Sequence, residues 1–355
     1  MRLLIVTNDY TPKPGGIQMY LKNLVGVYPG EIHVVAPSDV VEGREEPGVT
    51  RGSRSYMLPT KATAATIYRA AEHFEPDAVL FGAPHPLPFL GNALRRELGV
   101  PIGVLSHGAE VTIPGAIPGV RQLLGRSLAS ADVRFAVSTY TARRVQRISG
   151  KSVVFLGAGV DVDVFMPPRD TPHNDPPVVG CVSRFVPRKG QARLIEAAAR
   201  LDSDVELLFV GKGRTEAQLR KRAMNLGVRA RFEVDVPWSE LAGLYQQMDV
   251  FCMPCRSRWG GLEVEGLGLV FLEAAATGVP VLAGDSGGSP ETVLPGQTGF
   301  VVSDVAAIAE GLEILLADRS AAGRMGVAGR RFVESEFTWD HVVERLYAGF
   351  APHLG

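Results

Sequence analysis

Two basic side chains in the second half of this chain have the types and spacing that could bind a phosphorylated ligand. Arg184 and Lys189 follow an apolar run and flank a turn at Pro187. Two cations at the carboxyl end of a strand suit a diphosphate, because a guanidinium donates as a rigid fork and an ammonium is a mobile point charge. A solvated basic turn would have the same composition, so charge alone leaves both interpretations open.

The segment 260–274 contributes two carboxylates. Glycines follow Glu265 and place it in a loop, whereas Glu273 falls in a helix predicted at 270–277. The N–H groups near Gly268, Leu269 and Val270 would be free at the helix start and could bind an anion. The two carboxylates could then accept hydrogen bonds from sugar hydroxyls on either side of that anion. The alternative is a pair of surface glutamates, which the flanking glycines and the uncharged context disfavour.

Two loops of the first half are further candidates. Gly15 and Gly16 follow the first predicted strand and precede a helix, where glycines let the backbone approach a phosphate. The loop is neither a GxGxxG fingerprint nor a Walker motif, and a plain turn is the alternative. His107 follows another strand and precedes Gly108, which makes it either a site residue or a structural histidine.

Parallel sheets must position these loops, and the hydrophobic pattern predicts two of them. In the first half the predicted strands are 3–7, 32–36, 78–81, 102–105, 133–137 and 153–156, and the helices are 17–28, 87–98, 120–129 and 139–148. In the second half the strands are 178–183, 205–210, 231–234, 250–253, 279–283 and 299–302, and the helices are 191–200, 216–226, 240–247, 270–277 and 305–316. A proline-rich linker is predicted at 157–177. Alternating strands and helices indicate two doubly wound α/β domains, whose ligands bind beyond the carboxyl ends of the strands, in a cleft between the domains.

The composition excludes several other classes of protein. The net charge of −1 gives no nucleic-acid signature, and no apolar run is long enough to span a membrane. The apolar stretch 3–7 is too short for a signal peptide, which predicts a cytoplasmic protein. The three cysteines and seven histidines lack metal-ligand spacing, so we expect Cys181, Cys252 and Cys255 to be plain thiols and no metal site.

Over essentially its full length the sequence resembles the GT4 family of retaining GT-B glycosyltransferases. The resemblance rests on the Gly15-Gly16 loop, His107, the Arg184…Lys189 pair and the Glu265-x7-Glu273 element, in this order. Segments 6–9, 183–191 and 253–268 are similar to the actinobacterial phosphatidylinositol monomannoside mannosyltransferases, which use GDP-mannose and add an α-1,6-linked mannose.

The resemblance implies a GT-B fold, in which two Rossmann-like domains face each other across a cleft. Residues 1–168 would form the acceptor-binding domain and residues 177–338 the nucleotide-sugar-binding domain. A C-terminal helix at 339–355 would cross back onto the first domain.

The resemblance also implies roles for residues on the donor side. Arg184 and Lys189 would neutralise the diphosphate, and Glu273 would hold the ribose hydroxyls. Glu265 would hold hydroxyls of the transferred sugar, helped by N–H groups at Leu269 and Val270 after Gly268. The backbone around Val236 would read the base.

Further implied roles lie in the first half. Gly16 would bring its backbone N–H to the diphosphate, and His107 would contact the 6-hydroxyl of the sugar. Asp9, Tyr10 and Gln18 are the candidates for the acceptor. The helix at 139–148 carries Arg143, Arg144 and Arg147, which could touch anionic headgroups or form a solvated face. Ala109 departs from the bulkier residue that the family often has at this position, which could alter the sugar or acceptor pocket.

The chemistry implied by the resemblance is front-side attack with retention, in which the departing phosphate takes the proton of the acceptor. His107, Arg184, Lys189 and Glu265 would act on the reacting groups. No cofactor is required for this chemistry, and a divalent metal would at most stimulate it. The implied partners are a nucleotide-sugar and a glycolipid at the inner face of the membrane. A UDP-sugar donor, a soluble acceptor, an epimerase or phosphorylase of the same shape, and a non-catalytic sugar-nucleotide-binding protein remain the alternatives.

Overall fold

The computed structural model describes residues 1–13, 15–38, 46–169 and 174–354. These residues form two compact units, one of Met1–Ala158 with the segment from Trp339 onward and one of Gly159–Thr338. Each unit is built on a parallel sheet with helices between the strands. The predicted α/β class with two doubly wound domains is confirmed. No helix in the described ranges has the length and apolarity needed to cross a bilayer.

The first unit contains seven parallel strands. They are β1 (Leu3–Val6), β2 (Ile32–Ala36), β3 (Val49–Arg51), β4 (Ala78–Phe81), β5 (Ile102–Ser106), β6 (Val133–Ala136) and β7 (Val154–Phe155), in the order β3-β2-β1-β4-β5-β6-β7. The helices are α1 (Gly16–Val27), α2 (Lys61–Phe74), α3 (Gly91–Leu98), α4 (Ala109–Thr112), α5 (Pro118–Ser130) and α6 (Thr139–Ser149). Every residue of β1, β4 and β5 is buried, as expected for strands covered on both faces.

Strand β3 and helix α2 were not predicted from the sequence. The three residues of β3 lie at the sheet edge and are only partly buried, so they give no continuous apolar run. Helix α2 buries only Ile67, Ala70 and Ala71, and two alanines give a weak helical period. Its start is fixed instead by Thr60, whose hydroxyl accepts a hydrogen bond from the N–H of Thr63.

The C-terminal helix α13 (Trp339–Phe350) belongs to the first unit. Aromatic contacts hold it there: the ring of Tyr347 stacks on Tyr28 at 5.5 Å between centroids, and Phe350 packs on Phe135 at 5.4 Å. A Cβ on Gly103 would approach Phe350 to 2.5 Å, so the glycine in β5 makes room for that ring. Gly355, at the end of the predicted 339–355 segment, lies outside the described residues.

The second unit contains six parallel strands. They are β8 (Val178–Val182), β9 (Glu206–Val210), β10 (Arg229–Glu233), β11 (Val250–Met253), β12 (Val281–Gly284) and β13 (Gly299–Val302), in the order β10-β9-β8-β11-β12-β13. The helices are α7 (Gln191–Ala198), α8 (Glu216–Asn225), α9 (Trp238–Tyr245), α10 (Leu269–Ala276), α11 (Val305–Ala317) and α12 (Arg319–Glu336). The strand order reverses between β8 and β11, and ligands of doubly wound sheets bind at such a switch point.

Helix α12 was not predicted, because three glycines interrupt its apolar pattern and glycine is a poor helix former. Packing explains one of them: a Cβ on Gly326 would collide with the carbonyl oxygen of Gly278. Asp318 caps the helix by accepting a hydrogen bond from the N–H of Ala321 at 2.9 Å.

The boundary between the units differs from the predicted one. Residues 159–168 were assigned to the first domain, but the structure places them in the second unit. Phe165 packs edge-on against Tyr245 at 5.7 Å, and the Arg330 guanidinium donates to the carbonyl oxygens of Phe165 and Val162. Contacts with residues that are distant in sequence therefore determine the boundary between the two units. The proline content of the segment does not reveal these contacts. Within the predicted linker, residues 170–173 lie outside the described residues.

Candidate active site

The loop after β8 brings Lys189 to the switch point of the second sheet. The chain leaves β8 at Ser183, and a short 3-10 helix at Pro187–Lys189 precedes α7. Gly190 has φ +81°, and a Cβ there would collide with the carbonyl oxygen of Pro254. Glycine thus allows the loop after β8 to contact the loop after β11, so the two candidate motifs meet.

A buried ion cluster forms where these loops meet. The Lys189 Nζ lies 2.7 Å from the Glu265 Oε2, and the Arg188 Nη1 lies 2.5 Å from the same oxygen. Lys189 is 7% exposed and Glu265 is 9% exposed. Burial by itself would raise the pKa of Glu265, but the two cations lower it to about 2. Glu265 is therefore a carboxylate throughout the neutral range and acts as a hydrogen-bond acceptor.

The backbone around Glu265 fixes the position of its carboxylate. The N–H of Glu265 donates to the Ser286 hydroxyl at 3.1 Å, and the N–H of Gly288 donates to the Glu265 carbonyl oxygen at 3.0 Å. Gly287 has φ +61°, and a Cβ there would collide with that carbonyl oxygen. Both cations bind Oε2, and Oε1 has no hydrogen-bond partner in the part of the chain that the structure describes. Oε1 can therefore accept hydrogen bonds from a ligand.

Helix α10 begins immediately after this loop. Gly268, with φ +95°, is its N-cap, and no acidic residue occupies its first turn. Among the described residues no acceptor faces the N–H groups of Leu269 and Val270, and both residues are partly exposed. Free N–H groups at a helix start are able to bind an anion, and these two lie directly after the loop that carries Glu265.

Glu273 lies one turn further along α10. Its Oε2 accepts a hydrogen bond from the Tyr245 hydroxyl at 2.7 Å. Burial raises the pKa of Glu273 to about 7, although the bond from Tyr245 opposes that rise. This carboxyl therefore changes its charge near neutral pH, unlike Glu265.

The structure does not include Arg184 and Val236 in this cluster. The Arg184 side chain is exposed and forms no ion pair within the described ranges, so it is open to solvent rather than part of the ion cluster. Val236 lies beyond the end of β10 and is partly buried, next to Asp235, which has φ +54°. Asp235 pairs with Lys212 at 2.5 Å on the surface.

His107 follows β5 in the first unit. Its Nε2 lies 3.1 Å from the carbonyl oxygen of Gly82, and its ring packs edge-on against Tyr20 at 5.3 Å. A carbonyl oxygen only accepts, so Nε2 carries the proton and the neutral ring keeps Nδ1 as an acceptor. Burial lowers the pKa of His107, which Glu110, Gly82 and Asp9 partly oppose. The imidazole is thus suited to accept a hydroxyl proton in a hydrogen bond.

The loop after β1 presents the other first-unit candidates. Gly16 starts α1, and a Cβ there would have nothing within 4 Å, so space is open beside its backbone. The Gln18 Nε2 donates to the Asp9 Oδ1 at 2.9 Å, and burial raises the pKa of Asp9. Tyr10 is only 5% exposed and lies under the Arg51 guanidinium, so it is a core residue rather than an open acceptor contact. The pattern of residue types in this loop could not reveal that Tyr10 is buried.

The comparisons with known proteins cover both units. A family profile described as glycosyltransferase family 4 matches residues 14–164, and one described as glycosyl transferases group 1 matches residues 167–332. The chain is 42% identical to the GDP-mannose-dependent alpha-(1-6)-phosphatidylinositol monomannoside mannosyltransferase of Mycolicibacterium smegmatis, over 95% of each chain. The chain belongs to glycosyltransferase family 4. This family 4 enzyme is also 39% identical to the GDP-mannose-dependent monoacylated alpha-(1-6)-phosphatidylinositol monomannoside mannosyltransferase of Corynebacterium glutamicum, over 97% of this chain and 96% of that one.

Solved structures share the fold of this family 4 enzyme. Anabaena HepE in complex with UDP matches it with a TM-score of 0.81 at 18% identity, over 99% of this chain and 100% of that one. The sucrose-phosphate synthase of Thermosynechococcus elongatus matches with a TM-score of 0.78 at 22% identity, over 99% of each chain. The predicted GT-B architecture and the predicted family are confirmed.

The sequence of this family 4 enzyme did not predict that Arg188 and Ser286 contact Glu265, or that Tyr245 contacts Glu273. Arg188 directly precedes Lys189 in the sequence, and the local sequence gave no sign that both cations contact one carboxylate. Tyr245 lies 28 residues before its partner, so only the fold brings the two together. The three cysteines are buried free thiols, and burial raises their pKa values.

Proposed function

We propose that this family 4 enzyme transfers mannose from GDP-mannose to a phosphatidylinositol monomannoside, with retention and in α-1,6 linkage. The observation that carries the proposal is the buried Lys189–Glu265 pair next to the free N–H groups that start α10. A cation and an anion-binding helix start suit the diphosphate of a sugar nucleotide, and a fixed carboxylate suits the hydroxyls of its sugar. The identity of the two substrates is supported by the activities for which relatives at 37–42% identity over nearly the whole chain are named.

The second unit supplies the proposed donor contacts. Lys189 and the exposed Arg184 neutralise the diphosphate, with the N–H groups of Leu269 and Val270 as further donors. Glu265 accepts hydrogen bonds from hydroxyls of the mannose through its free Oε1.

Other donor contacts involve the nucleoside. Glu273 accepts hydrogen bonds from the ribose hydroxyls when its carboxyl is ionised. The backbone beside Val236 contacts the base, and a backbone contact by itself does not distinguish guanine from uracil.

The first unit supplies the remaining proposed contacts. Gly16 offers a backbone N–H to a phosphate oxygen, and His107 accepts a hydrogen bond from the 6-hydroxyl through Nδ1. Asp9 and Gln18, which hydrogen-bond to each other, are the proposed acceptor residues.

The reaction that follows from these roles is dissociation of the mannosyl–phosphate bond with front-side attack by the acceptor hydroxyl. Negative charge grows on the departing diphosphate, and preorganised donors around it lower the barrier. The leaving phosphate oxygen accepts the proton of the attacking hydroxyl, and the new glycosidic bond forms on the same face. Glu265 does not serve as the nucleophile, because its Oε2 is bound by two cations and its pKa of about 2 makes it a weak base.

The test is product formation by the purified chain. We expect mannosyl transfer from GDP-mannose to acylated phosphatidylinositol monomannoside, with linkage analysis showing an α-1,6 bond. UDP-glucose, UDP-galactose and ADP-glucose are the competing donors. Stabilisation of the chain by UDP without stabilisation by GDP would reject the proposed donor.

Replacement of Lys189 by alanine tests the role of this side chain in turnover independently of its role in the fold. We expect turnover to fall by about a factor of 100 or more, because a cation aimed at the developing charge is lost. The fold should survive, since Arg188 still neutralises Glu265. Lys212→Ala is the matched control, because Lys212 is an exposed lysine of the same unit. Near-normal turnover in a folded Lys189→Ala protein would contradict the assigned role.

A further inference from the structure

Two buried cations contact one carboxylate oxygen in the site of the second unit. The Arg188 Nη1 and the Lys189 Nζ lie 2.5 Å and 2.7 Å from the Oε2 of Glu265. The exposed fractions of these three side chains are 14%, 9% and 11%. One cation suffices to neutralise one carboxylate, and burying a further charge costs free energy unless it too is paired. A second cation at the same oxygen therefore calls for a further negative charge or a further role.

Glu263 supplies a further negative charge but does not balance the cluster. Its Oε1 lies 3.8 Å from the Arg188 Nε, and its Oε2 lies 3.3 Å from the Arg258 Nη1. Five charged side chains are linked in this way: Arg188, Lys189, Arg258, Glu263 and Glu265. Three of them are positive and two are negative, so the linked set carries a net charge of +1. That surplus favours the binding of an anion beside the cluster.

Arg188 is the stationary cation of the pair. It lies in the 3-10 helix that starts at Pro187, and its carbonyl oxygen accepts a hydrogen bond from the N–H of Arg256 at 2.9 Å. Its guanidinium contacts Glu263 as well as Glu265, and a guanidinium stays protonated in proteins. Because displacement would break both contacts, we expect Arg188 to remain in place when a ligand binds.

Lys189 is the cation that can move. Its ammonium group has several N–H donors, and among the described residues only Glu265 accepts from it. A lysine carries its charge as a point at the end of a flexible stem, whereas an arginine carries it in a rigid planar fork. The Lys189 Nζ can therefore turn toward an incoming anion while the Arg188 guanidinium stays on Glu265.

The movement of Lys189 is unfavourable unless Glu265 keeps another counter-charge. In the proposed function Lys189 neutralises the donor diphosphate, so its ammonium must be shared with phosphate oxygens or transferred to them. Removing the sole cation from a buried carboxylate is strongly unfavourable, because the carboxylate is then left unpaired in a medium of low dielectric constant. With Arg188 in contact, Glu265 remains paired throughout. Its Oε1 then stays in position for the sugar hydroxyls.

We propose that Arg188 is a positioning residue, which holds the charge of Glu265 and thereby releases Lys189 to bind the diphosphate of the donor. This role rests on the proposed function, because it depends on the roles given there to Lys189 and Glu265. Arg188 acts through these two side chains and touches neither substrate. Since GDP carries the diphosphate of GDP-mannose, the affinity for GDP reports the release of Lys189 without a contribution from the sugar.

The first test compares GDP with guanosine in the wild-type chain and in Arg188→Gln. Calorimetry measures the binding of GDP, and ligand-observed NMR measures that of guanosine, which has the base and the ribose but no phosphate. We expect Arg188→Gln to weaken GDP binding on the order of 10- to 100-fold, the strength of one charge-assisted hydrogen bond, and to leave guanosine binding unchanged. Equal losses for the two ligands would mean that Arg188 only maintains the fold of the site, and would overturn the inference.

Two variants accompany this comparison. Arg229→Gln is the matched control, because Arg229 lies at the start of β10 and pairs with Asp204 on the surface, with exposed fractions of 55% and 67%. Its GDP affinity should change by less than about twofold, since ligands bind beyond the other ends of the strands. Arg188→Lys keeps the positive charge and should recover most of the GDP affinity. A loss equal to that of Arg188→Gln in either variant would contradict the role of the charge at this position.

A double-mutant cycle tests whether Arg188 acts through Glu265. Without Arg188, the carboxylate of Glu265 retains Lys189, so removing that carboxylate should release the lysine again. We expect Glu265→Gln to raise the GDP affinity on the order of 10-fold in the Arg188→Gln chain, and by less than about threefold in the wild-type chain. Equal gains in the two chains would show that Arg188 acts on the nucleotide directly, and the positioning role would be wrong.

The binding measurements keep this role apart from the proposed function. A chain that binds GDP in this pattern but transfers no mannose would leave the role of Arg188 assigned and reject only the transferase. Mannosyl transfer by the wild type, together with unchanged GDP affinity in Arg188→Gln, would reject only the positioning role. Binding of UDP without binding of GDP would reject the proposed donor, and the same comparison with UDP and uridine would then decide the role of Arg188.

Discussion

Replacing Glu265 by glutamine removes the carboxylate that neutralises Lys189 and Arg188 while keeping the volume of the side chain. In the folded chain the pKa of Glu265 falls from an ordinary 4.5 to about 2. The difference corresponds to about 3 kcal/mol of free energy of unfolding at neutral pH, at about 1.4 kcal/mol for each pH unit. We therefore expect Glu265→Gln to lose about 3 kcal/mol at pH 7.

The pH dependence of this loss follows from the sign of the pKa change. A carboxylate whose pKa is lower in the folded state contributes stability above its unfolded pKa and loses it as the pH falls. The difference between wild type and Glu265→Gln should thus be full above pH 4.5 and should shrink toward pH 2. At pH 3 about half of it should remain.

The assay is urea unfolding followed by far-UV circular dichroism between pH 7 and pH 3. Asp235→Asn is the control, because the side chains of Asp235 and its partner Lys212 are 71% and 72% exposed. Surface pairs of this kind contribute about 0–1 kcal/mol, so the control should unfold close to the wild type. A Glu265→Gln protein within about 0.5 kcal/mol of the wild type at pH 7 would refute the reasoning, because surface changes alone produce that much.

Two further expectations concern Glu273 and Gly326. Burial raises the pKa of Glu273 to about 7, so GDP binding measured by calorimetry should strengthen more between pH 6 and pH 8 in the wild type than in Glu273→Gln. The variant reports the part of the pH dependence that comes from the terminal phosphate of GDP, whose second pKa is about 6. Equal pH dependence in both proteins would contradict the ribose contact. Since its folded pKa of about 7 exceeds its ordinary value of 4.5, the wild type should also lose stability relative to Glu273→Gln as the pH rises from 4.5 to 7. Gly326→Ala should lower stability by about 1–3 kcal/mol in thermal unfolding, since its Cβ would meet the Gly278 carbonyl oxygen. Gly323→Ala, with nothing within 4 Å, should be neutral or stabilising, and equal behaviour of the two variants would show that α12 adjusts its packing.

The partly buried edge strands β7 and β10 were predicted from the sequence, and so was every strand whose residues are all buried. Such strands consist of unbroken apolar runs, so β1, β4 and β5 can be recognised without knowing their partners. The edge strand β3 and the helices α2 and α12 depend on a single contact face, a cap or a glycine packed against a neighbour. Those features become visible only when the neighbouring element is known.

The candidate site shows the same division. The sequence predicted Lys189, Glu265 and the free helix start at Leu269 and Val270, because glycines and charges at strand ends are local signals. It gave no sign that Arg188 also binds Glu265.

By itself the sequence determined the alternating α/β architecture, the resemblance to GT4 and the residue types of the donor motifs, since these depend on local pattern. The tertiary structure decided which charges meet. It placed two cations on one oxygen of Glu265, buried Tyr10 and gave Glu273 and Glu265 opposite pKa changes. The physical reason is that burial and short distances between residues far apart in the chain determine electrostatic interactions, and neither is encoded in the local spacing.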